Sequence, residues 1–167
     1  MGFFALTIQG FTVILYVVNF IKDMSAQRAE SEVFMTRKEA REAAFLLLFE
    51  RDFSSDAPEE IMALAAEERE LKISGFGKNL FLGACSHLPE IDKQLESKLI
   101  GWRGERISKV ARAAMRLCVY ELCYTEIEGE IAINEALELI KKFDCKESAS
   151  FANGVLGAVY KSVRGAS

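Results

Sequence analysis

The chain has 167 residues and a mass of 18.7 kDa, half of its residues are hydrophobic, 28% are charged, and its net charge is −4. That is one globular domain's worth of sequence, which excludes a disordered tract, and two prolines exclude collagen-like or Pro-rich scaffolds. An acidic total argues against histone-like bulk coating of DNA and leaves room for a local basic patch.

Residues 3–21 stand apart at the start of the chain. Fourteen of these nineteen are apolar, and no charge appears until Lys22. As a helix the stretch would span roughly 28 Å, close to a bilayer core. A signal peptide is disfavoured, because no basic segment precedes Phe3 and no small-residue cleavage site follows. A membrane anchor is physically feasible but weakened by Gln9, Gly10 and Asn19. The favoured expectation is that residues 1–34 form an apolar appendage translated from an over-early start, with Met24 and Met35 as later starts. The compact domain is then residues 35–167.

From Met35 onward the apolar residues recur with period 3.6 and nowhere alternate with period two, so the predicted class is all-α. Thr36-Arg37-Lys38-Glu39 is a capping box, which starts a first helix running from Arg37 to about Arg51. Its inner side is Ala40, Ala44, Leu47 and Leu48, widened by Ala43 and Phe45. Asp56 is the expected cap of a second helix, with Pro58 in its first turn and Ile61, Leu64 and Ala65 inward. Ser74-Gly75 opens a third, burying Phe76, Leu80, Phe81 and Ala84. Pro89 restarts the chain, and Ile91, Leu95 and Leu99 form an i, i+4, i+8 stripe.

Gly101 and Gly104 bracket Trp102 in a break. A fifth helix then runs from about Ser108 to Tyr124, with Val110, Ala114, Leu117 and Tyr124 inward. Gly129 reads as a second break. The sixth helix is expected from about Ile133 to Phe143, with Ile133, Leu137 and Ile140 inward. Ser148 is the expected cap of the seventh, which turns Phe151, Val155 and Val159 inward.

Charge is segregated along this chain. From Lys98 to Arg116 there are six cations (Lys98, Arg103, Arg106, Lys109, Arg112, Arg116) and one acid, Glu105. From Glu121 to Glu138 there are six acids and no cation. Lys109, Arg112 and Arg116 fall on one stripe of the fifth helix, away from its apolar side. Arg37, Lys38 and Arg41 crowd the first turns of the first helix, where the macrodipole disfavours cations. A basic turn there suits gripping phosphates. The two clusters would form one surface if these helices packed side by side. The alternative is a pair of solvated faces, and spacing alone does not choose between them.

Catalytic chemistry finds no support. No P-loop, GxGxxG, nucleophile elbow or HExxH occurs. His87 is the one histidine, which excludes multi-histidine metal sites and catalysis, and Cys85-Ser86-His87 lacks an orienting group. Cys85, Cys118, Cys123 and Cys145 form no CxxC pair and read as reduced thiols of a cytoplasmic protein. Glu121 falls within the apolar side of the fifth helix, so it needs a partner and reads as a structural hydrogen-bonding hub. No enzyme, cofactor or metal site is expected.

Five segments stand in a distinctive order and spacing: Arg41-Glu42-Ala43-Ala44, Arg116 through Leu122 (RLCVYEL), Ala132 through Leu139 (AINEALEL), Lys142-Phe143, and Ser148 with Phe151 through Leu156 (FANGVL). Together they resemble the NusB family of bacterial transcription antitermination factors. The resemblance covers residues 35–167 and leaves residues 1–34 without a counterpart. It implies a seven-helix fold of two helical subdomains, helices 1–3 and 4–7. It also implies a non-catalytic function: binding boxA-type single-stranded RNA of ribosomal RNA leaders with NusE, a ribosomal small-subunit protein. The RNA polymerase elongation complex with NusA and NusG would be the larger partner.

The resemblance places RNA contacts at Arg37, Lys38 and Arg41, at Arg112 and Arg116, and at Glu147, Ser150 and Phe151, and the spacing of the basic stripe adds Lys109 to them. It places partner contacts at Phe49 and Ala111, and reads Asn134, Glu135, Asn153 and Gly154 as structural through capping, interhelical hydrogen bonds and close packing. This chain departs from the family pattern in three ways. Glu39 interrupts the first basic cluster, Ala111 stands where some members carry an acid, and Phe49 keeps a ring but lacks a hydroxyl. The second reading is therefore a protein–protein adaptor that binds NusE with little RNA affinity of its own. Homodimerisation over the RNA surface also stays open.

Overall fold

The computed structural model describes residues 35–99 and 107–165. The apolar extension and the Trp102 break lie outside these residues. Among the described residues there are seven helices and no strand: α1 (Arg37–Arg51), α2 (Pro58–Arg69), α3 (Gly75–Ser86), α4 (Leu88–Lys98), α5 (Lys109–Tyr124), α6 (Gly129–Phe143) and α7 (Lys146–Gly165). None of them is long and apolar enough to cross a membrane. One continuous core runs through all seven.

The start of α1 is built as its capping box requires. The Thr36 hydroxyl accepts from the Glu39 amide at 3.2 Å, and the Thr36 amide donates to the Glu39 carboxylate at 2.7 Å. Ten consecutive residues, Ala40–Phe49, are buried. A stripe was expected. The helix is instead enclosed on all sides, because α2, α3 and α5 all pack on it.

The cap of α2 is Ala57, not Asp56. Pro58 fixes the extended backbone before it, Glu60 accepts from the Ala57 amide at 3.2 Å, and Asp56 takes the Ser54 hydroxyl instead. Leu64, expected inward, is exposed; Ile61 and Ala65 carry the packing. Ser74 caps α3 as expected, accepting from the Gly77 amide at 3.2 Å. The adjoining α4 buries Ile91 and Leu95, and Leu99 lies half-buried just beyond its end.

Helix α5 is the hub, packed against α1, α3, α4, α6 and α7. Ser108 caps it by accepting from the Ala111 amide and also donates to Asp144, which ties the start of α5 to the α6–α7 turn. Tyr124, expected in the core, is exposed at the helix end. Helix α6 starts four residues before the expected Ile133, at Gly129. Gly129 reads as a break in sequence, but it permits contact: a Cβ there would lie 2.2 Å from the Tyr160 ring. Starting earlier, α6 turns Ala132, Ala136, Leu139, Ile140 and Phe143 inward and leaves Ile133 and Leu137 half-buried. Ser148 lies inside α7 rather than capping it, its hydroxyl 3.2 Å from the Cys145 sulfur. Asn134, Asn153 and Gly154 are exposed, and a Cβ at Gly154 would meet nothing within 4 Å, so close packing does not explain that glycine.

Candidate nucleic-acid interface

At the start of α1, Arg37 and Lys38 are exposed. Arg41, one turn on, is buried, with 5% of its surface accessible. Its Nε donates to both Glu121 oxygens, at 2.9 and 3.1 Å. Burial pushes the Glu121 carboxyl above its ordinary value, and the charge and hydrogen bond of Arg41 pull against that rise. The hub expected at Glu121 is therefore an ion pair to α1. Next to Arg41, Glu42 accepts from Lys142 of α6 at 2.8 and 2.9 Å.

The second cluster is arranged differently. Lys109 is exposed, its ammonium 3.8 Å from the centre of the Phe53 ring and 3.4 Å from the Asp52 carbonyl. Arg112 is half-buried and has no ion pair among the described residues. Arg116 is clasped by two carboxylates: its Nη1 donates to Asp52 at 2.6 Å, and its Nε and Nη2 donate to Asp92 at 2.7 and 2.8 Å. Burial lowers the pKa of Arg116, but Asp92 and Asp52 outweigh it, and the net shift is upward.

These contacts fix how the clusters relate. Helices α1 and α5 do pack together, but in opposite senses: Arg41 meets Glu121 near the end of α5, while Asp52, past the end of α1, meets Lys109 and Arg116. Along α1 the second cluster, marked by Asp52, therefore lies about 16 Å from Arg41 and about 22 Å from Arg37, toward the opposite end of the helix.

The α7 residues form a third feature. Glu147, Ser150 and Phe151 line a groove of about 680 Å³ with Gly154, Val155 and Lys98 of α4. Glu147 and Ser150 are exposed at its rim, and Phe151 is half-buried. Lys98 opens the basic run in sequence, and only the fold shows that it shares a groove with α7. Phe49 and Ala111 lie in the core, with 6% and 1% of their surface accessible. The exposed group beside Phe49 is Phe53, whose ring stands edge-on to it at 5.1 Å. Spacing did not flag Phe53, although its apolar ring just past the end of a helix is a signal that could have been weighed.

The Cys85-Ser86-His87 trio has a structural geometry. His87 Nδ1 lies 2.9 Å from the Gly83 carbonyl, and burial raises the Cys85 thiol to about 11, far from a thiolate nucleophile at neutral pH.

The sequence profile of the NusB family matches residues 38–161. The chain belongs to the NusB family. The "Transcription antitermination protein NusB" of a Nitratiruptor species is 40% identical over 134 residues, which cover 79% of this chain and 96% of that protein. The protein of the same description from Bacillus subtilis (strain 168) is 35% identical, over 77% of this chain and 98% of that one. Solved NusB structures share the fold. The solution structure of NusB from Aquifex aeolicus superposes with a TM-score of 0.68 at 35% identity, covering 78% of this chain and 91% of that chain. A NusB chain crystallised with NusE and double-stranded RNA gives a TM-score of 0.67 at 34% identity, covering 75% and 96%. This NusB-family chain is thus grouped with non-catalytic antitermination proteins.

Proposed function

We propose that this NusB-family chain binds a boxA-type segment of nascent ribosomal RNA leaders together with NusE, and that the pair joins the RNA polymerase elongation complex with NusA and NusG to suppress premature termination. Residues 35–167 form the acting domain, in the cytoplasm. The observation that carries the reading is the separate presentation of Arg37 and Lys38 at one end of α1 and Lys109 and Arg112 at the other, in a family with a solved NusB–NusE–RNA complex. Cations at both ends of one helix suit a single strand lying along it. Neutralised phosphates supply salt-dependent affinity, and unstacked bases supply choice of sequence. The α7 groove, with Phe151 on its wall, suits one such base. NusE would meet the surface over Phe49 and Ala111, where Phe53 is the exposed apolar group.

One observation favours the adaptor reading. Arg41 and Arg116 are already paired with carboxylates, which leaves four cations, Arg37, Lys38, Lys109 and Arg112, to grip the RNA. Four phosphate contacts give a salt slope of about −3 on a single strand, and six would give about −4. Arg112→Ala tests the surface directly: boxA-type RNA affinity falls several-fold while the thermal midpoint holds. Unchanged affinity there and in Arg37→Ala, with NusE still bound, would leave the adaptor reading.

A further inference from the structure

The first-turn arginines share a support on another helix. Phe76, the second residue of α3, has its ring 4.8 Å from the guanidinium carbon of Arg37 and 5.3 Å from that of Arg41. Arg37 and Arg41 are four residues apart on α1, so one aromatic ring serves two like charges on adjacent turns. The negative face of the ring attracts each cation and offsets part of their mutual repulsion.

The ring's position is set by its neighbour. Gly77 is buried, and a Cβ there would lie 2.9 Å from the Ala40 carbonyl oxygen and 2.9 Å from Ile73 Cγ1. The missing side chain lets the start of α3 close onto the first turn of α1, and that approach brings Phe76 to Arg37 and Arg41. From the far side, the Glu121 carboxylate holds Arg41 by Nε. Arg41 is thus fixed on two sides, and Arg37, exposed, rests on the ring.

We propose that Phe76 is a positioning residue of the phosphate-binding surface: its ring, set against the anchored Arg41, holds Arg37 in an orientation toward the RNA backbone. This rests on the RNA-binding reading given above. Arginine side chains have large rotamer freedom, and a surface that orders them before binding loses less on association.

The test uses the full chain and a fluorescently labelled boxA-type RNA. Phe76→Leu keeps an apolar group on α3 and removes the ring face. Its RNA affinity should fall roughly 2- to 10-fold, the cost of ordering one arginine side chain that the ring no longer holds in place, and Phe76→Tyr should restore it. In an Arg37→Ala background the same Phe76→Leu change should leave RNA affinity nearly as it is, because the arginine that the ring orients is already gone. A merely structural role would give the same loss in both backgrounds, and that result, or unchanged affinity on Phe76→Leu in the otherwise wild-type chain, would overturn the proposal. Nitrogen relaxation of the Arg37 Nε–H in the RNA-free protein gives a separate reading. Its order should drop in Phe76→Leu, and unchanged order would count against the proposal whether or not RNA binds. Failure of the RNA-binding reading would show instead in the wild-type titration.

Discussion

Separating Arg41 from Glu121 is the perturbation with the clearest consequence. Glu121→Leu keeps approximate volume, removes both acceptors and leaves the guanidinium in a site where 7% of its side chain reaches solvent. Removing one partner of a buried pair costs about 3–5 kcal/mol, because the other charge stays desolvated. Arg41 keeps some solvent contact and the Phe76 face, which places the cost near the lower end, about 3 kcal/mol. For a domain of this size that is a drop of roughly 10 °C in thermal midpoint.

The reverse change, Arg41→Met, behaves differently because Glu121 can escape by taking up a proton. Its carboxyl already sits above its ordinary value through burial, and losing Arg41 removes the opposing attraction. With the folded pKa above the unfolded one, the folded state binds more protons across that window. Stability is therefore fully retained below the ordinary carboxylate value and lost as pH rises through the raised one. Arg41→Met should cost several kcal/mol at neutral pH and much less toward about pH 4–5. The double variant with Arg41→Met and Glu121→Leu should recover most of the loss, with a coupling of about 2 kcal/mol or more in urea unfolding at neutral pH. Strictly additive single losses, or an Arg41→Met cost that does not shrink on acidification, would refute the assignment of this pair as a mutually dependent buried contact.

Other outcomes follow from contacts of the same kind. Arg116→Ala should destabilise by about 1–2 kcal/mol, because it leaves Asp52 and Asp92 facing each other half-exposed, whereas Arg112→Ala should change unfolding little; urea titration separates them. Gly129→Ala should cost about 1–3 kcal/mol by driving a methyl into the Tyr160 ring. Gly154→Ala, in open space within α7, should stabilise by about 0.5–1 kcal/mol; differential scanning calorimetry reads both. Timed alkylation at mildly alkaline pH followed by mass spectrometry should label exposed Cys145 first and half-buried Cys85, its thiol raised to about 11 by desolvation, slowly; prompt labelling of Cys85 would contradict that raised thiol.

Local signals were legible in the sequence where the interaction is itself local. The Thr36–Glu39 box and the helix starts at Ser74 and Ser108 were readable, and the structure makes both serines caps whose partners lie three residues on. Leu64 and Tyr124 were misplaced because an apolar residue continues a helical period whether or not another element covers it. Gly129 was misplaced because a glycine that admits a ring looks the same in sequence as one that ends a helix. Glu121 could be recognised as needing a partner, but the partner lies 80 residues away, and Arg41 looked like a surface cation. The opposed senses of α1 and α5, which set the two basic clusters apart, are a tertiary fact with no local trace. In the same way, the resemblance picked out the α7 residues, and the fold alone joined Lys98 to them.

The most direct test of RNA recognition is a titration of the protein with boxA-containing and scrambled RNA at two salt concentrations, with and without NusE. The expected result is preference for boxA, strengthening with NusE, and weakening with salt at a slope of about −3. Equal affinity for both RNAs, with NusE still bound, would contradict sequence-specific recognition and make the chain a protein adaptor.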